Sequence, residues 1–456
     1  MDSAIGANPK ELGMGDEWPE SLLGDLIDVK HGFAFQGEFI HEEPRGDVLL
    51  TPGNFSIGGG FKGDKFKYFD GPVPDEFVLA EGDLLVTMTD LSKQSDTLGF
   101  PAFVPSRSDN RRYLHNQRLG KVLVKDKRVI DTRYLHYLMC SASYRHEVLA
   151  SATGTTVKHT SPDRIQRFKF PRPPLAEQRV IAHILGTLDH KIELNRRMNE
   201  TLEAIARALF KSWFVDFDPV CAKAKGRDPC LPKHIADLFP DSFVDSELGE
   251  IPKGWSLGKF ADTVDILGGG TPKTTSPEYW NGAIPWFSVV DAPSDTDVWV
   301  IDTEKKITQE AVDNSSTQVL PVGTTIITAR GTVGKTALVG IPMAMNQSCY
   351  GLRGKADRRG YYTYFAIREL VSSLQQRVHG SVFDTITRDT VSGVTVVVAP
   401  ASLVEAFGTI VSPTVESMRG HLFESGTLAS LRDSLLPKLI SGELRVKDAA
   451  NVIGTI

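Results

Sequence analysis

Apolar residues recur three and four positions apart between Pro174 and Lys211. They are Ile181, Leu185, Leu188, Ile192, Leu202 and Leu209, with Asn195, Asn199 and Ala206 at the remaining seam positions. A spacing that averages 3.5 residues keeps one stripe facing a partner helix over several turns. The pattern predicts a central helix over residues 173–212. At ~1.5 Å per residue this helix is about 55 Å long and needs a second helix to cover its seam.

A second copy of this pattern appears when the sequence is slid along itself by 226 positions, which places Pro174 on Pro400 and Leu209 on Leu435. No gap is needed over the whole stretch, and such self-similarity is the signature of an internal repeat. We therefore predict that residues 399–445 form the partner helix, antiparallel to the first. Gly408, Pro413, Gly420 and Gly426 are unfavourable inside it.

The segments that precede the two helices also resemble each other. The matched pairs are Leu23–Leu26 with Leu257–Phe260, Glu81–Thr89 with Val322–Ala329, Asn116-Gln117 with Asn346-Gln347, Tyr137 with Tyr364, and Gly154-Thr155 with Gly380-Ser381. β-type runs such as 48–51, 83–87 and 324–328 alternate with helical stretches at 131–149 and 361–378. The fold class predicted is α+β: two similar mixed α/β domains separated by two long antiparallel coiled-coil helices, with a pseudo-two-fold internal repeat.

The domain boundaries follow from these patterns. Residues 1–16 are expected to be a flexible tail, 17–172 the first domain, 213–250 a linker, 251–398 the second domain and 446–456 a C-terminal tail. A chain of 456 residues with 41% hydrophobic and 24% charged residues suits two globular domains. The four cysteines form no Cys-x-x-Cys pair, which argues against a zinc site and for a reducing cytoplasm. Neither a signal peptide nor a membrane span is expected.

Basic residues are concentrated in particular segments although the net charge is −6. Eight of them lie between Arg107 and Arg128, others lie between Lys158 and Arg172, and the second repeat has a basic segment near Asn346. Such a run is either a solvated loop or a phosphate-binding surface. Its recurrence in both repeats favours phosphate contact.

Motifs for catalysis are missing from the sequence. Residues 329–336 match a loose phosphate-loop pattern, but strand-like residues follow where a helix should begin, so a hairpin tip is the better interpretation. There is no Asn-Pro-Pro-aromatic motif, His-Glu-x-x-His or dinucleotide fingerprint. We therefore expect a protein that binds rather than one that catalyses a reaction. A stand-alone DNA modification enzyme and a coiled-coil scaffold with two ligand-binding lobes are the alternatives.

Several conspicuous motifs lie at and after the ends of the helices. They are residues 174–178 (PLAEQ), 209–219 (LFKSWFVDFDP), 238–240 (LFP), 247–255 (ELGEIPKGW) and 435–444 (LLPKLISGEL). In these motifs the chain resembles the specificity subunit of type I restriction-modification systems. The resemblance implies two target recognition domains that each read half of a split double-stranded DNA sequence. It also implies helices that dock two methyltransferase subunits, which carry S-adenosylmethionine, and restriction subunits where these are present.

Amides and guanidinium groups suit base edges, so residues that carry them on predicted loops are candidates for DNA contact. The DNA-binding candidates are Asn116, Gln117, Arg118, Lys158 and His159 in the first domain and Thr271, Lys273, Arg330, Lys335, Asn346 and Gln347 in the second. Asn116 and Asn346 recur at matching positions, which suits a structural role as well as base contact.

Two further sets concern the helices. Trp213, Phe214 and Phe217 are predicted to bind the methyltransferase, unless they pack the helix pair against the recognition domains. The polar centre of the seam predicts that Asn195 lies near Ser425 and Asn199 near His421, where they would fix the register of the helix pair.

Overall fold

A computed structural model describes residues 18–90, 92, 96–155, 157–293, 297–355, 360–377 and 385–446. The predicted N-terminal tail at 1–16, residues 447–456 of the predicted C-terminal tail at 446–456, and the match involving Gly380-Ser381 lie outside the described residues. The chain divides into two compact units. The first consists of Met1–His190 with Leu428–Ile456, and the second of Lys191–Thr427.

The first unit contains short strands and helices followed by a long helix. These elements are β1 (Glu20–Leu22), α1 (Leu23–Leu26), β2 (Ile27–His31), β3 (Ile40–His41), β4 (Asp47–Leu50), β5 (Lys67–Phe69), β6 (Val78–Leu79), β7 (Leu84–Thr87), β8 (Thr89–Asp90), β9 (Pro101–Phe103), β10 (Tyr113–His115), β11 (Leu119–Val124), α2 (Thr132–Cys140), α3 (Ala142–Ala150), β12 (Lys158–His159), α4 (Pro162–Gln166), β13 (Lys169–Pro171) and the start of α5 (Leu175–Phe214).

Two sheets form the body of the first unit. One has the order β3-β5-β4-β10-β6, in which β4 and β10 are parallel, and the other is the antiparallel sheet β2-β11-β7-β9. Helices α2 and α3 were predicted as one helix over 131–149. The structure ends the first at Cys140 because Ser141 adopts an extended backbone and its hydroxyl accepts the Tyr144 N–H. A serine offers the backbone such a local hydrogen bond, which favours a break.

The second unit continues α5 and ends in a second long helix. Its further elements are α6 (Asp218–Ala224), α7 (Lys233–Ala236), β14 (Phe243–Val244), β15 (Ile251–Pro252), β16 (Ser256–Lys259), α8 (Phe260–Thr263), β17 (Val264–Gly268), β18 (Trp280–Phe287), β19 (Trp299–Val300), β20 (Lys306–Ile307), α9 (Gln309–Asp313), β21 (Thr325–Thr328), β22 (Thr336–Val339), β23 (Ala344–Met345), β24 (Cys349–Gly354), α10 (Tyr362–Arg377), α11 (Arg388–Gly393), β25 (Thr395–Val398) and α12 (Ala401–Ser441). The segment predicted as a linker thus contains α6, α7 and β14.

Strand pairing in the second unit repeats that of the first, which confirms the predicted fold class. The order β17-β24-β21-β22 matches β2-β11-β7-β9, and the pairs β1-β13 and β16-β25 correspond. One predicted match is wrong by three positions. Leu23 opens α1 and donates to the Phe168 carbonyl, whereas Phe260 opens α8 and donates to the Val394 carbonyl. Both side chains are buried, so the equivalent of Leu23 is Phe260 rather than Leu257.

The two long helices pair antiparallel within each unit. In the first unit Ile181 and Leu185 share a buried cluster with Leu439 and Ile440. In the second, Phe210 packs on Phe407, with 5.6 Å between ring centroids. Helix α12 runs through Gly408, Pro413, Gly420 and Gly426, so tertiary packing outweighs their poor helix propensity. No described helix has both the length and the apolar character needed to cross a membrane.

Candidate nucleic-acid interface

Two equivalent turns occupy the same place in the two repeats, directly before β11 and β24. The Asn116 side-chain oxygen accepts the Arg118 N–H at 2.9 Å, and the Asn346 oxygen accepts the Ser348 N–H at 3.0 Å. An asparagine that bonds the backbone two residues on closes such a turn. Asn116 and Asn346 are therefore turn-forming residues. The side chains of Gln117 and Gln347, next in sequence, are exposed.

A glycine lies against each turn, and sequence analysis missed both. A Cβ atom on Gly32 would be 2.1 Å from the Asn116 carbonyl oxygen, and one on Gly269 would be 1.9 Å from that of Asn346. Only glycine allows backbones to approach this closely. The Gly270 N–H also donates to the Met345 carbonyl at 3.0 Å, and Thr271 follows Gly270 in the chain. Gly32 directly follows β2, and Gly269 directly follows β17. This recurrence of a glycine at matching positions of the two repeats could have indicated the close contact.

Backbone hydrogen bonds gather three of the predicted residues of the first domain. The Met88 N–H donates to the Arg118 carbonyl, and the Thr160 N–H donates to the Met88 carbonyl, both at 2.9 Å. Strand β12, which consists of Lys158 and His159, pairs with β8 beside this point. The structure therefore brings Arg118, Lys158 and His159 around one strand end. The His159 Nδ1 lies 3.1 Å from the Thr89 hydroxyl.

The second domain has a hairpin at the matching position. Strands β21 and β22 are antiparallel, which confirms that residues 329–336 are a hairpin tip and not a phosphate loop. The Ala329 N–H donates to the Ser348 carbonyl at 2.8 Å, which ties the hairpin to the Asn346 turn. Arg330 is exposed at the tip and bridges Thr385 through the backbone.

Two other basic candidates of the second domain have surroundings different from those of Arg330. Lys335 is half-buried and lines a cavity of about 320 Å³ together with Arg207 and Arg368. Lys273 is exposed, and its carbonyl accepts the Trp280 indole N–H at 3.1 Å. Lys335 thus faces a cavity, whereas Lys273 and Arg330 present their side chains to solvent.

Asp90 holds the loop that follows β8, and sequence analysis missed it. Its carboxylate accepts backbone N–H groups of Ser92 at 2.6 Å, Thr97 at 2.6 Å and Leu98 at 2.9 Å. Burial alone would raise the pKa of Asp90, but these bonds outweigh it and hold the pKa below its usual value. In the second domain the hydroxyl of Thr328, the last residue of β21, accepts the Lys335 N–H at 3.0 Å.

The basic run between Arg107 and Arg128 does not form the free cationic surface that its sequence suggested. Ion pairs join Arg107 to Asp109, Arg112 to Asp47, Lys121 to Asp83, Lys125 to Asp28 and Arg128 to Asp126. Asp109 and Asp126 belong to the run, but Asp28, Asp47 and Asp83 come from earlier strands and turns. A count of acidic residues within the run alone therefore misses three of the five ion-pair partners. Arg118, exposed in the Asn116 turn, is the member of the run that the fold places beside β12.

The aromatic residues proposed to bind a methyltransferase lie largely in the core of the second unit. Trp213 is 1% exposed and Phe214 is 8% exposed. Trp213 packs on Phe239, and Phe217 is half-buried against Trp255. The alternative interpretation therefore holds for these side chains: they pack the helix end. The residues after the helix fold back over them, and the local sequence gave no sign of this cover.

A polar layer joins α5 and α12 inside the second unit. The Asn195 amide nitrogen lies 3.2 Å from the Ser425 hydroxyl and 2.8 Å from Glu424 Oε2. The Asn199 oxygen lies 2.7 Å from His421 Nδ1, and the Asn199 amide donates to the Met418 carbonyl at 3.2 Å. The cross-pairs expected from the repeat are thus in contact. Their role in fixing the register stays a prediction.

Comparison with known proteins identifies the family. The model of the type I restriction modification DNA specificity domain matches the chain twice, over residues 15–204 and 252–401. The chain belongs to this family. The double match coincides with the internal repeat seen in the strand pairing: the first match runs into α5, and the second ends at residue 401, where α12 begins.

Individual relatives of this DNA specificity family agree with the match. The HindI specificity subunit of Haemophilus influenzae is 24% identical over 368 residues, which cover 71% of this chain and 80% of that protein. The MjaIX specificity subunit of Methanocaldococcus jannaschii is 25% identical over 337 residues, 73% of each. The crystal structure of the S subunit from M. genitalium has the same fold, with a TM-score of 0.54, 17% identity and coverage of 94% of this chain and 97% of that one.

Proposed function

We propose that this chain reads an asymmetric bipartite sequence in double-stranded DNA, one half with each domain, and presents that DNA to methyltransferase subunits. The observation that supports this most directly is the pair of equivalent turns. The two turns have the same hydrogen bond at Asn116 and Asn346, but the residues that follow differ: Gln117 and Arg118, both exposed, in one, and exposed Gln347 with half-buried Ser348 in the other. Two turns with the same backbone but different side chains suit two domains that recognise different halves of a DNA sequence.

The chemistry of the exposed residues fits base edges and phosphates. A guanidinium group such as that of Arg118 can donate two hydrogen bonds to guanine, and a glutamine amide such as that of Gln117 or Gln347 can bond adenine. Lys158 and Arg330, beside the two turns, suit phosphate contacts that position the domain without reading sequence.

A domain exchange tests this proposal. Residues 17–172 would be replaced by the matching domain of another specificity subunit, and methylated adenines would be mapped genome-wide with the partner subunits present. We expect one half of the recognised sequence to change and the other to stay. A matched exchange of residues 251–398 should change the opposite half. If either exchange altered both halves, the domains would not be independent readers.

The docking surface for methyltransferase subunits is proposed on the outer face of the long helix rather than at Trp213. Leu194, Met198 and Ile205 are 42%, 39% and 58% exposed, and their spacing of four and seven places them in one stripe of α5. An apolar stripe at heptad spacing suits a partner helix. Met198→Glu should abolish copurification of the methyltransferase subunit, while Leu123→Glu, at a similarly exposed site in the first unit, should not.

The catalytic chemistry is assigned to the partners. The chain itself would transfer no methyl group and bind no S-adenosylmethionine, which the methyltransferase subunits would hold. Calorimetry of the isolated chain with this cofactor tests the assignment, and saturable binding would contradict it. The four cysteines are free thiols, which suits the cytoplasm, where we propose that the complex acts.

A further inference from the structure

We propose that the buried amides of Asn195 and Asn199 fix the register of α5 against α12 and so set the spacer length between the two half-sites. This inference rests on the proposed bipartite recognition and names a determinant of it. It concerns residues on the helices, remote in sequence from the turns proposed to contact bases. The spacer would thus be specified by residues that need not touch DNA.

The amides are anchored to both the backbone and the side chains of α12. Asn195 is 1% exposed and Asn199 is 3% exposed. Each amide nitrogen lies within hydrogen-bond distance of a main-chain carbonyl of α12, Asn199 with Met418 at 3.2 Å and Asn195 with His421 at 3.4 Å. Because the Asn199 oxygen only accepts, His421 Nδ1 must carry the hydrogen in their 2.7 Å contact.

Apolar residues elsewhere in the seam discriminate poorly between registers. One aliphatic side chain replaces another when a heptad repeat slips by seven residues, so packing alone tolerates the slip. The polar layer does not tolerate it. A slip of one heptad would replace Ser425 opposite Asn195 by Met418 or Arg432, and in one direction it would replace His421 opposite Asn199 by Leu428. A buried amide left without partners costs about 1–3 kcal/mol.

The slip would be large on the scale of DNA. Seven residues correspond to about 10 Å along a helix axis, which is about three base pairs at ~3.4 Å each. A single register is therefore needed for a single spacer length. The layer gives up stability for this purpose, since the Asn195 oxygen is buried with no hydrogen-bond partner among the described residues.

The test compares two variants of the full chain in complex with its methyltransferase. The first, Asn195→Leu/Asn199→Leu, removes the layer. The second, Gly408→Ala/Gly420→Ala, is the matched control, because these glycines of α12 face open space and alanine stabilises the helix without touching the layer. Each complex methylates a DNA library in which both half-sites are fixed and the spacer varies.

We expect both variants to melt at a higher temperature than the natural chain, the leucine variant by about 5 °C. The leucine variant should methylate spacers up to three base pairs away within about tenfold of the best one. The glycine control should keep one sharp spacer. A leucine variant that keeps one sharp spacer overturns the proposal. If it fails to assemble, His421→Leu/Ser425→Ala removes the layer from the other helix and gives the same readout.

A readout without DNA separates this inference from the proposed function. Lys191 pairs with Glu424 at 3.3 Å in the observed register, and a slip of one heptad would place position 417 or position 431 there, depending on its direction. Lys191→Cys/Glu424→Cys should cross-link in every background. Lys191→Cys/Ser417→Cys or Lys191→Cys/Leu431→Cys, one for each direction of slip, should cross-link only when the leucine pair is present, as mapped by mass spectrometry. The natural complex could methylate no bipartite site while the cross-links still follow the expected pattern. In that case the proposed function fails and the register role stands. No shifted cross-link in the leucine background overturns the register role.

Discussion

The two units differ most where a recognition domain packs against the long helices. In the first unit Tyr137 of α2 and Arg432 of α12 both bond Asp189 of α5, each at 2.7 Å, above aliphatic side chains. In the second unit the packing is aromatic, and Trp213 and Phe407 stand where the first unit has Leu439 and Ile181. The backbone frame is repeated, but the chemistry that holds it is not.

This second interface also contains a buried charge. Glu203 is 2% exposed and accepts a hydrogen bond from Arg368 of α10 at 2.5 Å. A buried ion pair adds little net stability, but removing one partner is costly. Two copies of a repeat can therefore keep the same strand order while different side-chain contacts hold each domain against the long helices.

The largest effect should come from the aromatic core. Trp213→Ala should destabilise the second unit by about 3–5 kcal/mol, because a fully buried indole leaves a cavity. Leu439→Ala, at the equivalent position, should destabilise the first unit by about 2–5 kcal/mol. Hydrogen exchange measured by mass spectrometry assigns each loss to its unit. Phe423→Ala, which removes a 42% exposed aromatic of α12, is the control. Equal losses in both units would show that they unfold as one body.

The second largest effect should be a loss of stability at acidic pH that is confined to the first unit. Burial lowers the pKa of His115 and of His136 to about 4. Because the unfolded chain binds these protons near pH 6.5, stability is fully present above that pH and is lost as the pH falls from 6.5 towards 4. At pH 5 the first unit should lose on the order of 1–2 kcal/mol for each histidine.

The second unit supplies the control for this acid effect, since its equivalents are Met345 and Thr363. His115→Met/His136→Thr should flatten the pH dependence of the first unit, followed by thermal unfolding and hydrogen exchange between pH 7.5 and 5. An unchanged slope in the variant would exclude these two histidines as its cause.

Base recognition should give smaller and strictly local effects. Arg118→Ala should weaken discrimination at one base of one half-site by about 1–3 kcal/mol, and Gln347→Ala should do so at the other half-site. Competition binding of the complex to single-base variants of its site measures both. Asn116→Ala serves as the contrast, because loss of its turn should lower stability as well as binding. Effects of Arg118→Ala spread over both half-sites would argue against separate readers.

The smallest effect concerns exposed helix positions. Gly408→Ala alone should stabilise the isolated chain by up to about 1 kcal/mol, since an alanine Cβ would meet open space. Thermal unfolding detects the gain, and Gly32→Ala is the opposite case, where the Cβ would meet the Asn116 carbonyl at 2.1 Å. A destabilising Gly408→Ala would mean that this face is already covered.

Sequence periodicity predicted the helices well, because a heptad seam is a local pattern. Residues 173–212 and 399–445 were predicted, and Leu175–Phe214 and Ala401–Ser441 were found. The cross-pairs of Asn195 and Asn199 followed from the same repeat. Trp213 was assigned to a partner surface because its cover, Phe239, lies 26 positions further along the chain. Asp90 was overlooked because its role depends on how one loop folds around a carboxylate.

The Asn116 and Asn346 turns have a consequence for how this molecule can change over generations. The asparagine oxygen and the adjacent glycine fix the backbone of each turn. The exposed glutamine side chain that follows the asparagine is therefore not needed to form the turn. Exchange of Gln117 or Gln347 should then cost little folding energy while altering which base is preferred. A lineage could therefore acquire new target sequences by single steps, each one leaving a folded protein. Substitution of Asn116 or Asn346, in contrast, should destabilise the turn and so lower the stability of the domain.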